Sequence, residues 1–200
     1  IARPLSGYVN FIPRGHKTFE YPGRRAWLAR PEEGGSGIWM LNGVHVMSAA
    51  RMVFGDVVRI DARTVRSTEF GSDVEATVVA LLDFDTDAVA TLTVSAELHG
   101  YRRFSDMVVF GSRGTLQLNW RRGETLKVYS EDGPPEEIEC GAGEEAGVPV
   151  SFLRELEEFR RAVEEDSEPY TSGREERKSL AAILAGYRSI DESRPVQVGG

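Results

Sequence analysis

The chain has 200 residues and a formal net charge of −8, with 40% hydrophobic and 28% charged residues. That length suits one domain with a full core, and the composition is that of an ordinary soluble globular protein. The negative balance argues against nucleic acid and anionic membrane as partners, because both demand a basic footprint, and no apolar run approaches the roughly 18 residues that span a bilayer.

A single cysteine, Cys140, excludes an internal disulfide and argues against a thiolate metal cluster. A reducing, cytoplasmic setting fits. The chain starts at Ile1 rather than Met, so the expectation is a piece of a longer protein.

Residues 4–12 read as an opening strand. Residues 13–35 show no sustained period but carry Pro13, Gly15, Pro22, Gly23 and Pro31. A connection this long in a compact domain is more often functional than filler. Arg14, Arg25 and Trp27 stand out in it, although a solvated surface loop accounts for them equally well.

Ser36 predicts the N-cap of a helix that runs to Phe54, with Gly55 as its stop. Inside it, Gly43 costs roughly 1 kcal/mol against alanine. His45 gains nothing among Ile38, Leu41, Val44 and Met52 unless its imidazole faces a cavity. Together they read as an active-site helix.

Strands follow. Residues 57–66 form one. Residues 74–84 alternate, with Val74, Ala76, Val78, Ala80, Leu82 and Phe84 on one face. Residues 88–98 do the same, and Asp85, Thr86 and Asp87 make a hairpin turn between them. Further strands are expected at 107–110, 115–120 and 125–130, so short links imply an antiparallel meander. The opposite face of the best hairpin carries Thr77, Val79, Leu81, Val89, Thr91 and Thr93, too little charge for a water-facing surface. A subunit interface is the favoured explanation.

Residues 131–148 are acidic, rich in Gly and Pro, and read as a solvated loop. Ser151 opens a helix whose stripe of Phe152, Leu153, Leu156, Phe159, Ala162 and Val163 reads as core. Ser172 or Gly173 opens another, with Leu180, Ile183, Leu184, Tyr187 and Ile190 as its core stripe. Residues 195–198 read as a final short strand. The order implies an α+β fold: a largely antiparallel open sheet with helices packed on one face and the other face a subunit interface.

Gly34-Gly35-x-Gly37, then Asn42-Gly43-Val44-His45, then Gly55 and the Val57-Val58 strand resemble the second domain of the Gfo/Idh/MocA oxidoreductases. The segments Ile1-Ala2-Arg3-Pro4-Leu5 and Gly111-Ser112-Arg113-Gly114-Thr115-Leu116-Gln117-Leu118, the closing helices and Arg194-Pro195-Val196 agree with that likeness. It spans nearly all of residues 1–200.

The resemblance implies that residues 1–200 are the C-terminal substrate-binding and oligomerisation domain of a two-domain oxidoreductase. An N-terminal Rossmann domain, absent here, would bind NAD or NADP. The implied reaction is hydride transfer between the nicotinamide and a sugar, polyol or related hydroxyl compound. No G-x-G-x-x-G follows a strand, so no cofactor-binding residue is assigned in this chain, and residues 34–37 are not read as a phosphate loop.

By position, His45 matches the family's active-site histidine, and removing a hydroxyl proton suits a side chain that titrates near neutrality. The family's aspartate, one turn earlier, is Leu41 here. Leucine can neither orient nor charge-stabilise the ring. Asn42 could orient the ring or a substrate hydroxyl, but takes up no proton.

Asn10 and Tyr8, on one side of the first strand, are candidate substrate contacts, as are Arg14, Arg25, Trp27 and, more loosely, Tyr101. His16 and His99 have no motif support. Nothing pairs with His45 at ligand spacing, so no metal is expected. The fragment alone is expected to be inactive. The alternative is a non-catalytic ligand-binding or dimerisation module derived from the same family.

Overall fold

Alternation along the chain builds one nine-stranded sheet in the order β11-β2-β3-β4-β1-β5-β6-β7-β8. The computed structural model describes residues 1–12, 26–34, 37–65, 74–97, 104–119, 125–140, 144–145 and 148–199. The strands are β1 (Pro4–Ile12), β2 (Val57–Val65), β3 (Thr77–Phe84), β4 (Val89–Ser95), β5 (Phe104–Gly111), β6 (Gly114–Asn119), β7 (Thr125–Tyr129), β8 (Glu136–Glu139) and β11 (Val196–Gln197). A separate small pair joins β9 (Glu144–Glu145) to β10 (Val148–Pro149).

Neighbours run antiparallel except β1 and β4, which pair in parallel from Ser6↔Val89 to Phe11↔Val94. The first strand thus sits in mid-sheet, between β4 and β5. A pure meander would have left it at an edge.

One face of the sheet is apolar across its central strands. Val9, Ile60, Val78, Leu82, Leu92 and Val94 are completely buried there. Two helices cover them: α2 (Val44–Phe54) lies against β1 and β4, and α4 (Gly173–Glu192) against β2 and β11. On the other face Val79, Leu81, Val89 and Phe110 are exposed, so the alternation expected from the sequence holds. The Asp85–Asp87 turn also forms, with Asp87 in the left-handed region at φ 64°.

Three expectations change. Residues 131–148 are not all loop, because β8 pairs antiparallel with β7 from Thr125↔Glu139 to Val128↔Glu136. Its four residues are all exposed at the sheet edge, so no apolar alternation marked it. Within the long connection, Ala26–Ala29 form a 3-10 turn and Pro31–Gly34 a one-turn helix, α1.

The third concerns the closing helices. In α3 (Val150–Glu164) only Ala162 is buried, while Phe152, Leu156, Phe159 and Val163 are exposed. Among the described residues its main neighbour is the short strand β10, so its stripe is not core here. In α4 the buried positions are Ser179, Ala182, Ile183, Ala185, Gly186 and Ser189, with Leu180 and Leu184 exposed. Small side chains let α4 come close to the sheet, where the Ser189 hydroxyl accepts the Ala62 N–H at 2.9 Å. The N-cap of α4 is Ser172, whose hydroxyl accepts the Glu175 N–H.

Candidate active site

The helix that carries His45 begins with a wide π turn, Trp39–Gly43, and continues as α2. Such turns are rare and recur at functional sites. Its leading N–H groups need partners, and no neighbouring side chain caps them. The cap comes from far along the chain. The Glu75 carboxylate accepts the Gly37 N–H at 3.0 Å and the Trp39 N–H at 3.1 Å. The Glu75 carbonyl accepts the Ile38 N–H at 3.1 Å. A carboxylate at a helix N-terminus also meets the positive end of the helix dipole. Ser36, the cap expected from the sequence, lies outside the described residues.

Two glycines of this segment are explained by packing. A Cβ on Gly37 would stand 2.2 Å from the Glu75 carbonyl oxygen, so only glycine lets the backbones meet. Gly43 faces the indole of Trp39, which is wholly buried and donates its Nε1–H to the Ile183 carbonyl at 3.0 Å. Gly43 stands out in the sequence as a sign of an active site. Its immediate reason is room for Trp39. Gly55 ends the helix as expected, at φ 104°, with its N–H bonded to the Arg51 carbonyl.

α2 buries Val46, Met47, Ala50 and Phe54 and leaves His45 and Met52 outward, two turns apart on one side. His45 is therefore not set among core side chains. Its imidazole is exposed, and among the described residues it makes no hydrogen bond or ion pair. Leu41 and Asn42 are half-buried on the preceding turn. No carboxylate takes the place of Leu41 beside the ring among the described residues.

The other candidates separate from His45. Tyr8 and Asn10 belong to the open face of β1, opposite the face that α2 covers. There the Asn10 amide donates to Asp106 Oδ1 at 3.1 Å, across the register pair Asn10↔Asp106. Burial raises the Tyr8 hydroxyl above its ordinary pKa, and the charge of Asp106 and a hydrogen bond to it add to the rise. Trp27 lies on the 3-10 turn with its side chain exposed. Arg14, Arg25 and Tyr101 lie outside the described residues.

Sequence reasoning missed Glu75 as a cap and Asp106 altogether. By alternation Glu75 falls at the end of the open face, and no local spacing links it to residue 37. The C-terminal end of α2 is held by Arg51, whose side chain is 7% exposed. Its guanidinium donates to Asp56 Oδ1, the Glu175 carbonyl and the Ser179 hydroxyl. Burial pushes the Asp56 carboxyl up, but hydrogen bonds and charge from Arg51 and Lys178 outweigh it and hold the group below its ordinary value.

Among the described residues no set of three His, Cys, Asp or Glu side chains could hold a metal ion. A dinucleotide pyrophosphate would seek a glycine-rich helix start. At the one such start described here, the Glu75 carboxylate already occupies the N–H groups. These residues do not fit a nicotinamide cofactor's phosphates. No helix of the described residues is long and apolar enough to cross a membrane.

Residues 10–117, just over half of the chain and including the whole His45 helix, match the family model described as the GFO/IDH/MocA C-terminal domain. D-apiose dehydrogenase of Paraburkholderia graminis is 28% identical over 209 aligned residues, covering 99% of this chain and 52% of that protein. The chain spans about half the length of the curated relatives it matches. An oxidoreductase of Agrobacterium radiobacter, solved with NAD+, L-tartaric acid and magnesium, superposes with a TM-score of 0.85 at 24% identity, over 98% of this chain and 57% of that one. Levoglucosan dehydrogenase with NADH and levoglucosan gives 0.86 at 18% identity, over 98% and 59%. These two likenesses establish the fold.

Proposed function

We propose, since the chain belongs to the GFO/IDH/MocA C-terminal domain family, that residues 1–200 form the substrate-binding half of an NAD(P)-dependent oxidoreductase acting on a sugar, polyol or related hydroxyl compound. A Rossmann domain elsewhere in the protein completes it. The observation that carries this reading is His45: an exposed imidazole with no partner of its own among the described residues, on a helix whose start is anchored to the sheet. A histidine kept only for packing would be enclosed.

A nicotinamide held by the rest of the protein would supply the hydride acceptor. What this chain supplies is the proton side of the reaction. An imidazole nitrogen of His45 takes the hydroxyl proton as the carbonyl forms, which is general-base catalysis. Asn42, three residues earlier, lies on a neighbouring helical position and orients the hydroxyl through its amide. Leucine at 41 leaves the imidazolium without an adjacent negative charge.

The first assay is full-length protein with NAD+ and D-apiose, the substrate named for the Paraburkholderia relative, followed by NADP+ and a panel of sugars and polyols. His45→Ala should reduce kcat by at least about 100-fold, as loss of a general base does. Unchanged turnover in that variant sinks the assignment.

Leu41 keeps a second reading in play, a non-catalytic ligand-binding module derived from the same family. Binding of sugars without turnover by the full-length protein would select it. In either reading the open sheet face, with Val79, Leu81, Val89 and Phe110 exposed, is proposed to join copies of the chain in a homo-oligomer. Sedimentation of the full-length protein at high concentration showing monomer alone would contradict that. A cytoplasmic location accords with the single cysteine.

A further inference from the structure

His45 inherits its position from backbone. Among the described residues nothing hydrogen-bonds its ring, so the imidazole stands wherever the start of its helix stands. The buried Trp39 indole, bonded to the Ile183 carbonyl, holds that start from one side, and a single carboxylate takes its leading N–H groups. Glu75, just ahead of β3, receives the N–H groups of Gly37 and Trp39 on its carboxylate and that of Ile38 on its carbonyl. Its Oε1 also accepts the Tyr187 hydroxyl at 2.6 Å, which ties the same carboxylate to α4. Sheet, π turn and α4 therefore meet at a single group, about two helical turns before His45.

We propose that Glu75 is a positioning residue for His45: by accepting the Gly37 and Trp39 N–H groups and the Tyr187 hydroxyl, it sets where the His45 helix begins. This rests on the reading of His45 as the proton acceptor. It adds a residue that touches neither substrate nor cofactor, and that acts through the helix backbone. A shift of about 1 Å in a reacting group can lower a rate about 100-fold, so a displaced helix start registers in turnover.

Three substitutions separate reach from charge. Glu75→Ala removes all three side-chain contacts. Glu75→Asp keeps the charge but falls one methylene short. Glu75→Gln keeps an acceptor oxygen at the Oε1 position, which the Gly37, Trp39 and Tyr187 donors all reach, and loses the charge and the Oε2 acceptor for Gly37. In full-length protein with NAD+ and D-apiose, Ala and Asp should lower kcat at least about 10-fold while KM changes less than about threefold, and Gln should restore kcat to within about threefold.

Hydrogen exchange supplies a readout that needs no substrate. The amides of residues 37–45 should exchange at least about 10-fold faster in Glu75→Ala or Glu75→Asp, with β2–β4 unchanged. Should Glu75→Ala not fold, Glu75→Asp carries both measurements. Unchanged exchange at residues 37–45 overturns the proposal. So does kcat within twofold of the parent in a folded Ala or Asp variant while His45→Ala has lost activity. Activity retained in His45→Ala overturns instead the reading on which the proposal rests.

Discussion

Gly186 lies flat against the indole of Trp39, so close that a Cβ there would stand 2.7 Å from the indole nitrogen and 2.9 Å from Cζ2. The indole cannot retreat, because it is fully buried and its N–H is bound to the Ile183 carbonyl. Gly186→Ala should therefore cost about 1–3 kcal/mol by overpacking. Gly43→Ala meets looser contacts, 3.0 Å to Trp39 Cε3 and 3.3 Å to Ile183 Cδ1, and gains helix propensity. It should be the milder of the two in urea denaturation. The reverse order would mean that Trp39 is not held as described.

Arg51 is the buried member of its ion pairs: its side chain is 7% exposed, those of Asp56 and Glu175 40% and 41%. Removing Arg51 leaves two carboxylates that water and Lys178 still reach. Removing both carboxylates leaves the buried guanidinium with neutral partners alone, the Glu175 carbonyl and the Ser179 hydroxyl. The double variant Asp56→Ala/Glu175→Ala should accordingly be less stable than Arg51→Met, by at least about 1 kcal/mol. Equal stabilities in chemical denaturation would contradict this.

The sign of the acid dependence follows from Asp56. Its folded-state value lies below the ordinary 3.8, so the folded state holds the charged form more strongly than the unfolded chain does. That stabilisation is complete above the ordinary value and is lost as pH falls from there through the depressed one. Thermal melts between pH 7 and pH 3 should show a falling Tm at the acid end. Asp56→Asn should flatten that limb while lowering Tm at pH 7.

Leu41→Asp places a carboxylate one turn before His45. An adjacent carboxylate orients the ring and favours its protonated form. In full-length protein the acid limb of the kcat/KM profile should move to higher pH. An unmoved limb would mean that His45 is not the base that titrates.

The stripe of α3 gives a direct contest between pattern and placement. Leu156 and Phe159 sit at core spacing, yet are 64% and 59% exposed. In residues 1–200, Leu156→Glu should change stability by less than about 0.5 kcal/mol, as an exposed substitution does. A loss of 2–5 kcal/mol, the usual cost of emptying a core position, would show the stripe to be buried.

Much of the sheet is legible from alternation alone, because a strand half-covered by helices must repeat with period two. The inner faces of β3 and β4 were readable residue by residue for that reason. β8 was not, since an edge strand with both faces in water carries no such period. The α3 stripe shows the opposite limit: helical periodicity reports that a face is apolar, not what lies against it.

The placement of His45 and Asn42 on one helix, and that helix's stop at Gly55, are local features carried by spacing. They were legible in the residues alone, together with the acidic composition and the α+β order. The reasons for Gly37 and Gly43, the cap supplied by Glu75, and the separation of Tyr8 and Asn10 from His45 were decided only by the tertiary structure. Each depends on which backbone segments approach within a few ångströms across long stretches of chain. Packing sets those distances, and no pattern within a single element records them.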